Sequence, residues 1–235
     1  MMHVTILTLF PEMFTGPFDY SIVRRAQEKG NVTVDFVNIR DFASDSYKSV
    51  DDHPYGGGAG MVLRVDVVDR AIENAKCQML NAKCKTILLD PQGTPYTQAK
   101  AQELSHLDHL ILLCGHYEGV DERIRGLVDE EISIGDYVTT GGEIPAMVLV
   151  DSVSRLLPGV LKKPEATQRE SFSSNNPILE YPQYTRPETY KGMRVPEVLL
   201  SGNHKKIESW RKDQARMRTR TRRPDLTLTK KRDRG

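Results

Sequence analysis

The segment Ser133–Pro145 reads S-I-G-D-Y-V-T-T-G-G-E-I-P and joins an acidic step, Asp129–Glu131, to the apolar run Ala146–Val150. This order predicts a strand, then a polar loop that carries glycine, then a helix. The three glycines allow the main chain to turn sharply or to approach another group closely. The final proline is tolerated in a first helical turn. Such a loop can offer main-chain donors and acceptors to a small molecule, or it can be a tight strand-to-helix connection without a ligand.

Strands and helical patterns alternate over the first two-thirds of the chain. The predicted strands are Val4–Phe10, Val32–Ile39, Thr86–Asp90, Leu110–Cys114 and Glu131–Val138. The predicted helices are Pro11–Lys29, Val65–Cys77, Thr97–Ser105, Asp121–Val128 and Ile144–Leu157. The predicted strands Thr86–Asp90 and Leu110–Cys114 contain continuous apolar runs, which are typical of parallel strands covered by helices on both faces. We therefore predict an α/β sheet with its ligand site beyond the carboxyl ends of the strands.

Composition excludes several classes of protein. The chain has 235 residues, of which 38% are hydrophobic, and no apolar run approaches the roughly 20 residues of a membrane span. Its first residues read as a strand and lack the pattern of a secretory signal. The cysteines Cys77, Cys84 and Cys114 have no metal-ligand spacing, so we expect no zinc site and a reducing, cytoplasmic setting. Neither G-x-G-x-x-G nor G-x-x-x-x-G-K-[ST] follows the first strand, which argues against a nicotinamide enzyme and a P-loop NTPase.

Positive charge is concentrated at the end of the chain. Residues 203–235 contain 13 Lys and Arg against 4 Asp and Glu, although the whole chain carries a net charge of only +1. This asymmetry predicts a module that binds a polyanion, and the alternative is a solvated basic tail, which is how we interpret the last six residues.

A helix is predicted before that tail, with its start flanked by Ser201 and Asn203. One stripe of this helix holds Ile207, Trp210, Gln214 and Met217, and we interpret Trp210 as part of a small core. The basic side chains lie largely off the stripe, at Lys206, Lys212, Arg216, Arg220 and Arg223. We thus predict three regions: an α/β domain over 1–161, a proline-bearing linker or mobile loop over 162–187, and a helical basic domain over 188–235.

Three loops follow predicted strands, at Leu89–Gly93, Cys114–Arg123 and Ser133–Pro145. If the sheet is parallel, they converge at one edge and can build a pocket.

The motifs in these loops resemble a known family. C-G-H-Y-E-G-V-D-E-R at Cys114–Arg123, followed by the Ser133 segment, resembles the bacterial tRNA (guanine-N1)-methyltransferase family, TrmD. V-D-D-H-P-Y-G-G-G-A-G-M at Val50–Met61, L-P-G-V-L at Leu157–Leu161 and Y-T-R-P at Tyr184–Pro187 fit the same family. The resemblance extends from the first strand through Pro224.

The resemblance implies a SPOUT fold, in which the α/β sheet contains a deep trefoil knot. It implies that the first domain binds S-adenosyl-L-methionine in the knot and methylates N1 of guanine 37, next to the anticodon of tRNA. It further implies a homodimer with active sites at the subunit interface, and a basic domain that binds the tRNA anticodon arm. Magnesium can assist the family, but no residue is assigned to it here.

The resemblance also assigns site residues. The cofactor-binding positions are Leu89, Pro91, Gln92, Gly115, Tyr117, Glu118, Ser133, Ile134, Gly135, Asp136, Tyr137, Val138, Thr139, Gly141, Gly142 and Pro145. The positions near the target guanine are Asp51, Tyr55 and Gly58, the last in a run of three glycines that can also be a flexible surface turn.

Guanine N1 carries a proton at neutral pH, so the reaction needs a general base, and a cation near O6 should stabilise the charge that develops there. The resemblance assigns the cation to Arg155, for which a surface or interface salt bridge is the alternative. The family has E-D-S-F where this chain has Arg169–Phe172, so Glu170 replaces the expected aspartate as base. Water or another carboxylate such as Asp51 is the alternative base.

Two further departures are His116 in place of arginine and Gln183 in place of histidine. The competing functions are a related knotted methyltransferase that acts on another RNA position and a non-catalytic RNA-binding relative.

Overall fold

The computed structural model describes residues 1–77, 82–162, 167, 170–173 and 178–228. The chain divides into two compact units, Met1–Lys162 and Lys163–Gly235.

The first unit is built on a five-stranded parallel sheet with the strand order β2-β1-β6-β5-β7. The strands are β1 Met2–Thr8, β2 Val32–Asn38, β5 Cys84–Pro95, β6 His109–Cys114 and β7 Glu130–Ser133. Every residue of β6 is buried, because this strand lies at the centre of the sheet with both faces covered. An antiparallel hairpin, β3 Asp51–Asp52 and β4 Val62–Leu63, branches from this unit. The predicted α/β fold class is confirmed.

In the described part of this unit, the sheet is accompanied by the helices α1 Ser21–Glu28, α2 Val65–Cys77, α3 Gln98–Leu104 and α4 Glu143–Ser154. Side chains of α1, α3 and α4 pack in one buried cluster with Ile87, Leu110 and Leu112. Side chains of α2 pack in a second cluster with Leu88 and Ile111. The alternation along β5 and β6 therefore divides the core into two layers, one on each face of the sheet.

Three predicted elements differ from the structure by more than their end residues. The predicted helix Pro11–Lys29 is a 3-10 helix, Pro11–Phe14, then turns, then α1, because Gly16 adopts a φ of +101°. The predicted helix Asp121–Val128 is a 3-10 helix, Glu122–Gly126. The predicted strand Glu131–Val138 ends at Ser133, since the chain then turns through Gly135 at a φ of +152°.

Strand β5 is longer than predicted and contacts β7 twice. Ile87–Leu89 pair with Glu130–Ile132, and after a break in register Thr94 and Pro95 pair with Ile132 and Ser133. Gly93 lies between the two stretches, where an added Cβ would be 2.5 Å from the main chain of Ile132. Only glycine fits where the two paired strands approach each other this closely.

The second unit contains a short hairpin, β8 Thr189–Tyr190 and β9 Met193–Arg194, and the helices α5 Glu197–Leu200, α6 His204–Arg222 and α7 Asp225–Leu228. The predicted start of the long helix is confirmed: Asn203 is its N-cap, and its side chain accepts a hydrogen bond from the amide of Lys206 at 3.1 Å.

The buried stripe of α6 differs from the prediction. Met217 is 55% exposed, whereas Ala215 and Thr219 are buried. Hydrogen bonds of Thr219 help to set which face of α6 is buried. Its hydroxyl donates to the carbonyl of Ala215 and accepts from the amide of Leu179 at 2.8 Å. The five basic residues predicted to lie off the stripe are exposed.

None of the helices in the described residues has the length and apolar composition that a membrane span requires.

Candidate functional site

A cavity of about 190 Å³ lies where the three predicted loops meet. The middle of β5 forms one wall, the loop after β6 forms the second, and the loop between β7 and α4 forms the third. Parallel pairing of these strands places the loops at one edge of the sheet, so the predicted convergence is confirmed.

All but two of the predicted cofactor positions line this cavity: Leu89, Pro91, Gln92, Gly115, Tyr117, Glu118, Ser133, Ile134, Tyr137, Val138, Thr139, Gly141, Gly142 and Pro145. Gly135 and Asp136 are not among its lining residues. Five lining residues were not predicted as ligand contacts: Asp90, His116, Gly119, Ile132 and Thr140. Each lies within or beside a predicted loop, so position in these loops is the sequence signal that identifies them.

The side chain of Tyr137 explains the absence of Gly135 from the lining. The ring folds back against this glycine, and its hydroxyl donates to the carbonyl of Ile134 at 3.2 Å. The Ser133 hydroxyl closes the same turn, because it donates to the carbonyl of Gly135 at 3.0 Å.

Gly142 lets the start of α4 pack directly against the end of β6. A Cβ on Gly142 would lie 2.6 Å from the Cα of Cys114 and 2.9 Å from the amide nitrogen of Gly115. The amide of Gly142 donates to the carbonyl of Gly115 at 2.8 Å. The glycine thus fixes two walls of the cavity to each other by main-chain contact.

Tyr117 lies at the turn of the second wall with a φ of +61°. A non-glycine residue in the left-handed region costs about 1 kcal/mol or more, and such residues cluster at functional sites. Its hydroxyl accepts a long hydrogen bond from Arg40 at 3.4 Å, and its ring packs edge-on against His116. His116 Nδ1 is buried and has no hydrogen-bond partner among the described residues.

The charged groups of the cavity are acidic. Asp90 and Glu118 line it, and none of the described lining residues is Lys or Arg. Arg125 lies outside the lining and pairs with Asp90 at 3.4 Å. Asp90 in turn accepts from the amide of Gln92 at 2.8 Å, so this carboxylate shapes the first wall.

Buried polar groups pack beneath the third wall, at the start of α4. Glu143, in the first turn of α4, is 1% exposed and accepts a hydrogen bond from the Thr8 hydroxyl at 2.8 Å. Burial, together with the nearby Glu143 carboxyl, raises the pKa of the Cys114 thiol well above its ordinary value. Cys114 therefore remains a neutral packing group beneath the loop.

The predicted substrate loop lies between β3 and β4, next to the second wall. Asp51 is on β3 and partly buried, whereas Tyr55 is fully exposed at the tip of the loop. Gly58 has a φ of +138°, which favours glycine. The amide of Glu118 donates to the carbonyl of Met61 at 3.1 Å, so the base of the loop is joined to the cavity.

The two predicted catalytic side chains lie in different units. Arg155 is the C-cap of α4, and its amide donates to the carbonyl of Asp151. Glu170 is in the second unit, where its carbonyl accepts from the Ser173 hydroxyl at 2.6 Å. Arg169, the preceding residue of the motif, lies outside the described residues. In the described part of the chain, no three His, Cys, Asp or Glu residues are grouped as a metal site.

Comparison with known proteins gives a match over nearly the whole chain. Residues 2–229 match the family model described as tRNA (Guanine-1)-methyltransferase TrmD. The protein of Syntrophomonas wolfei is 54% identical over 229 residues, which cover 97% of this chain and 91% of the relative. The protein of Carboxydothermus hydrogenoformans is 56% identical over 96% of this chain and 87% of the relative. The protein of Anoxybacillus flavithermus is 55% identical over 97% of this chain and 92% of the relative.

All three relatives carry the name tRNA (guanine-N(1)-)-methyltransferase. The relatives are more than 50% identical to this chain over more than nine-tenths of its length, and the motifs of all three walls lie inside the matched residues. The chain therefore belongs to the tRNA (Guanine-1)-methyltransferase TrmD family.

Proposed function

We propose that this protein transfers a methyl group from S-adenosyl-L-methionine to N1 of guanine 37 in tRNA. The observation that carries the proposal is the cavity of the first unit, whose three walls come from the motifs shared with the family. We further propose that it acts in the cytoplasm, where its tRNA substrate is modified.

The residues of the cavity fit S-adenosyl-L-methionine. Leu89, Ile134 and Pro145 offer apolar surface for an adenine ring, and the glycine-bearing third wall leaves main-chain groups accessible to its edges. Glu118 suits a ligand that carries positive charge, as a sulfonium does. A phosphate-bearing cofactor fits poorly, because the described lining offers no Lys or Arg. When bound, S-adenosyl-L-methionine supplies an electrophilic methyl group.

We propose that Glu170 is the general base and Arg155 the electrostatic stabiliser. The Glu170 carboxylate takes the N1 proton as the new bond from N1 to carbon forms, and the sulfur keeps the electron pair of the bond that breaks. The Arg155 guanidinium offsets the negative charge that grows on O6. Asp51 and Tyr55 would hold the target guanine, with the main chain at Gly58 approaching it closely.

The knot, the dimer and the basic domain are part of the same proposal. The knot is proposed from membership of the family. Exposed apolar side chains on α4, Ile144 and Val148, support a subunit interface on that helix. The exposed basic face of α6 supports binding of the tRNA anticodon arm.

The activity is tested with labelled S-adenosyl-L-methionine and two tRNA transcripts that carry guanine or adenine at position 37. We expect transfer to the guanine transcript alone. Transfer to both transcripts would indicate a related methyltransferase with another target, and binding of RNA without transfer would indicate a non-catalytic relative.

The base is tested by single-turnover methylation. We expect Glu170→Ala to lower the rate about 10²–10⁴-fold, the usual contribution of a general base. Glu170→Asp retains a carboxylate and should keep most of the activity. Glu180→Ala, which removes a carboxyl ten residues along in the same unit, is the control and should leave the rate within about twofold. A Glu170→Ala rate equal to that of the control would exclude Glu170 as the base.

A further inference from the structure

The second unit contains a cavity of its own, of about 490 Å³. The segment Tyr181–Arg186, which includes most of the Y-T-R-P motif, lines one side of it. The helices α5 and α6 line the other side, with Leu199 and Ile207 as apolar surface. The proposed methyl-transfer chemistry assigns no role to this cavity or to the motif.

Two aromatic rings face this space and remain accessible. Tyr184 is 50% exposed, and its ring centroid lies 6.4 Å from that of Trp210. Tyr181 is partly buried, and the guanidinium carbon of Arg211 lies 4.7 Å from its ring centroid. The exposed ring of Tyr184 offers a flat surface on which a planar group can stack, and Trp210 packs beside it at an interplanar angle of 51°.

The same cavity carries positive charge. Arg186 and Arg211 line it against one acid, Glu188, which pairs with Arg194 at 3.4 Å. Arg186 is exposed and has no carboxylate partner among the described residues. Nε of Arg211 is buried and lacks a hydrogen-bond acceptor within the described part of the chain. The cavity thus holds donors suited to a phosphate beside rings suited to a base.

We propose that this cavity binds one unpaired nucleotide of the RNA substrate, with the base stacked on Tyr184 and a phosphate held by Arg186 and Arg211. Aromatic rings next to arginine are the usual means by which proteins hold unstacked bases of single-stranded nucleic acid. A paired nucleotide does not fit, since its base is covered on both faces by its neighbours. This proposal rests on the proposed function only in taking tRNA as the substrate.

The test compares two RNA probes with the full-length protein. One is a labelled hairpin with the anticodon-arm sequence, whose loop is unpaired, and the other is a blunt duplex with the same number of phosphates. We expect Tyr184→Ala to weaken binding of the hairpin about tenfold or more and to leave duplex binding within about twofold. Tyr184→Phe keeps the ring and should bind the hairpin as the unchanged protein does.

Tyr190→Ala is the matched control, because Tyr190 is 57% exposed in the same unit and does not line the cavity. Equal hairpin affinities for Tyr184→Ala and Tyr190→Ala would overturn the proposal. Equal losses on hairpin and duplex would overturn it too, because stacking requires an unpaired base.

The phosphate contact has its own measurement. The logarithm of the binding constant falls linearly with the logarithm of salt concentration, and each contact to single-stranded RNA contributes about 0.7 to the slope. We expect Arg186→Gln to reduce the slope by about that amount, and Tyr184→Ala to lower affinity at every salt concentration with the slope unchanged. An unchanged slope for Arg186→Gln would show that Arg186 does not bind a phosphate of the RNA.

Methylation of a tRNA transcript separates the two proposals. If the unchanged protein methylates guanine 37 and Tyr184→Ala binds the hairpin as the control does, only the nucleotide site is wrong. If no methylation occurs but hairpin binding depends on Tyr184, only the proposed function is wrong.

Discussion

Replacement of Gly142 by alanine tests whether the main-chain contact between α4 and β6 holds the candidate cofactor site together. The added methyl carbon would lie 2.6 Å from the Cα of Cys114, 3.0 Å from its Cβ and 2.9 Å from the amide nitrogen of Gly115. Carbon atoms pack at about 3.5–4.0 Å, so the two backbones must separate by about 1 Å. Two of these three atoms belong to the main chain, so no side-chain rotation can relieve the overlap.

The separation has two costs. Forcing an extra methyl group into a packed region costs about 1–3 kcal/mol. It also weakens the hydrogen bond from the amide of Gly142 to the carbonyl of Gly115, which is 2.8 Å long and is worth about 0.5–1.5 kcal/mol. We therefore expect Gly142→Ala to lower the free energy of unfolding of the first unit by about 2–4 kcal/mol. The separation also moves two walls of the cavity apart, so binding of S-adenosyl-L-methionine should weaken, by about tenfold for each 1.4 kcal/mol of binding free energy that is lost.

Urea unfolding followed by far-ultraviolet circular dichroism measures the stability, and calorimetric titration measures binding. The single tryptophan, Trp210, lies in the second unit and does not report on this site. Gly126→Ala is the control, because a Cβ at Gly126 would have no neighbour within 4 Å. Its stability should stay within about 0.5 kcal/mol of the original. A Gly142→Ala protein as stable as this control, with unchanged cofactor binding, would refute the reasoning.

Three further predictions concern stability. Burial, with a smaller effect of His3, lowers the pKa of His109 from 6.5 to about 4. The unfolded chain therefore takes up this proton first as pH falls, so we expect the folded state to lose about 3 kcal/mol between pH 6.5 and pH 4. Urea unfolding across this pH range should show the loss, and His109→Gln should flatten it; an equally steep dependence in that variant would contradict the assignment. Thr8→Val removes the hydroxyl that donates to buried Glu143, and should lower the free energy of unfolding by about 1–3 kcal/mol in the same assay. On α6, Ala215→Lys should lower the unfolding temperature of the second unit, followed by tryptophan fluorescence, because Ala215 is 5% exposed. Met217→Lys should leave that temperature nearly unchanged, and equal effects of the two variants would show that the buried face is placed wrongly.

Local sequence patterns predicted those elements in which the intrinsic preference of the residues and the packing around them favour the same structure. The apolar runs in β5 and β6 predict buried parallel strands, and both strands lie inside the sheet with a neighbour on each side. The start of α6 at Asn203 was predicted from a capping signal, which acts within four residues. The prediction of one helix over Pro11–Lys29 is wrong, because the chain has a φ of +101° at Gly16, a conformation that interrupts a helix.

For the candidate site, the sequence predicted most of the lining residues but not the arrangement of their side chains. Motifs identified most of the residues that line the cavity, but not that Asp90 lines it beside Gln92 or that the ring of Tyr137 folds over Gly135. These arrangements depend on side-chain orientation within loops, which no periodicity describes.

The sequence by itself determined the alternation of strands and helices, the basic end of the chain and the loops that carry glycine. Each of these depends on residues close together along the chain. The tertiary structure decided which main chains come within van der Waals distance of each other, as Gly142 does with Cys114 and Gly93 with Ile132. It also selected Ala215 over Met217 for the buried face of α6. These contacts join residues far apart in sequence, and their geometry is set only when strands pair and helices pack, so no local pattern contains it.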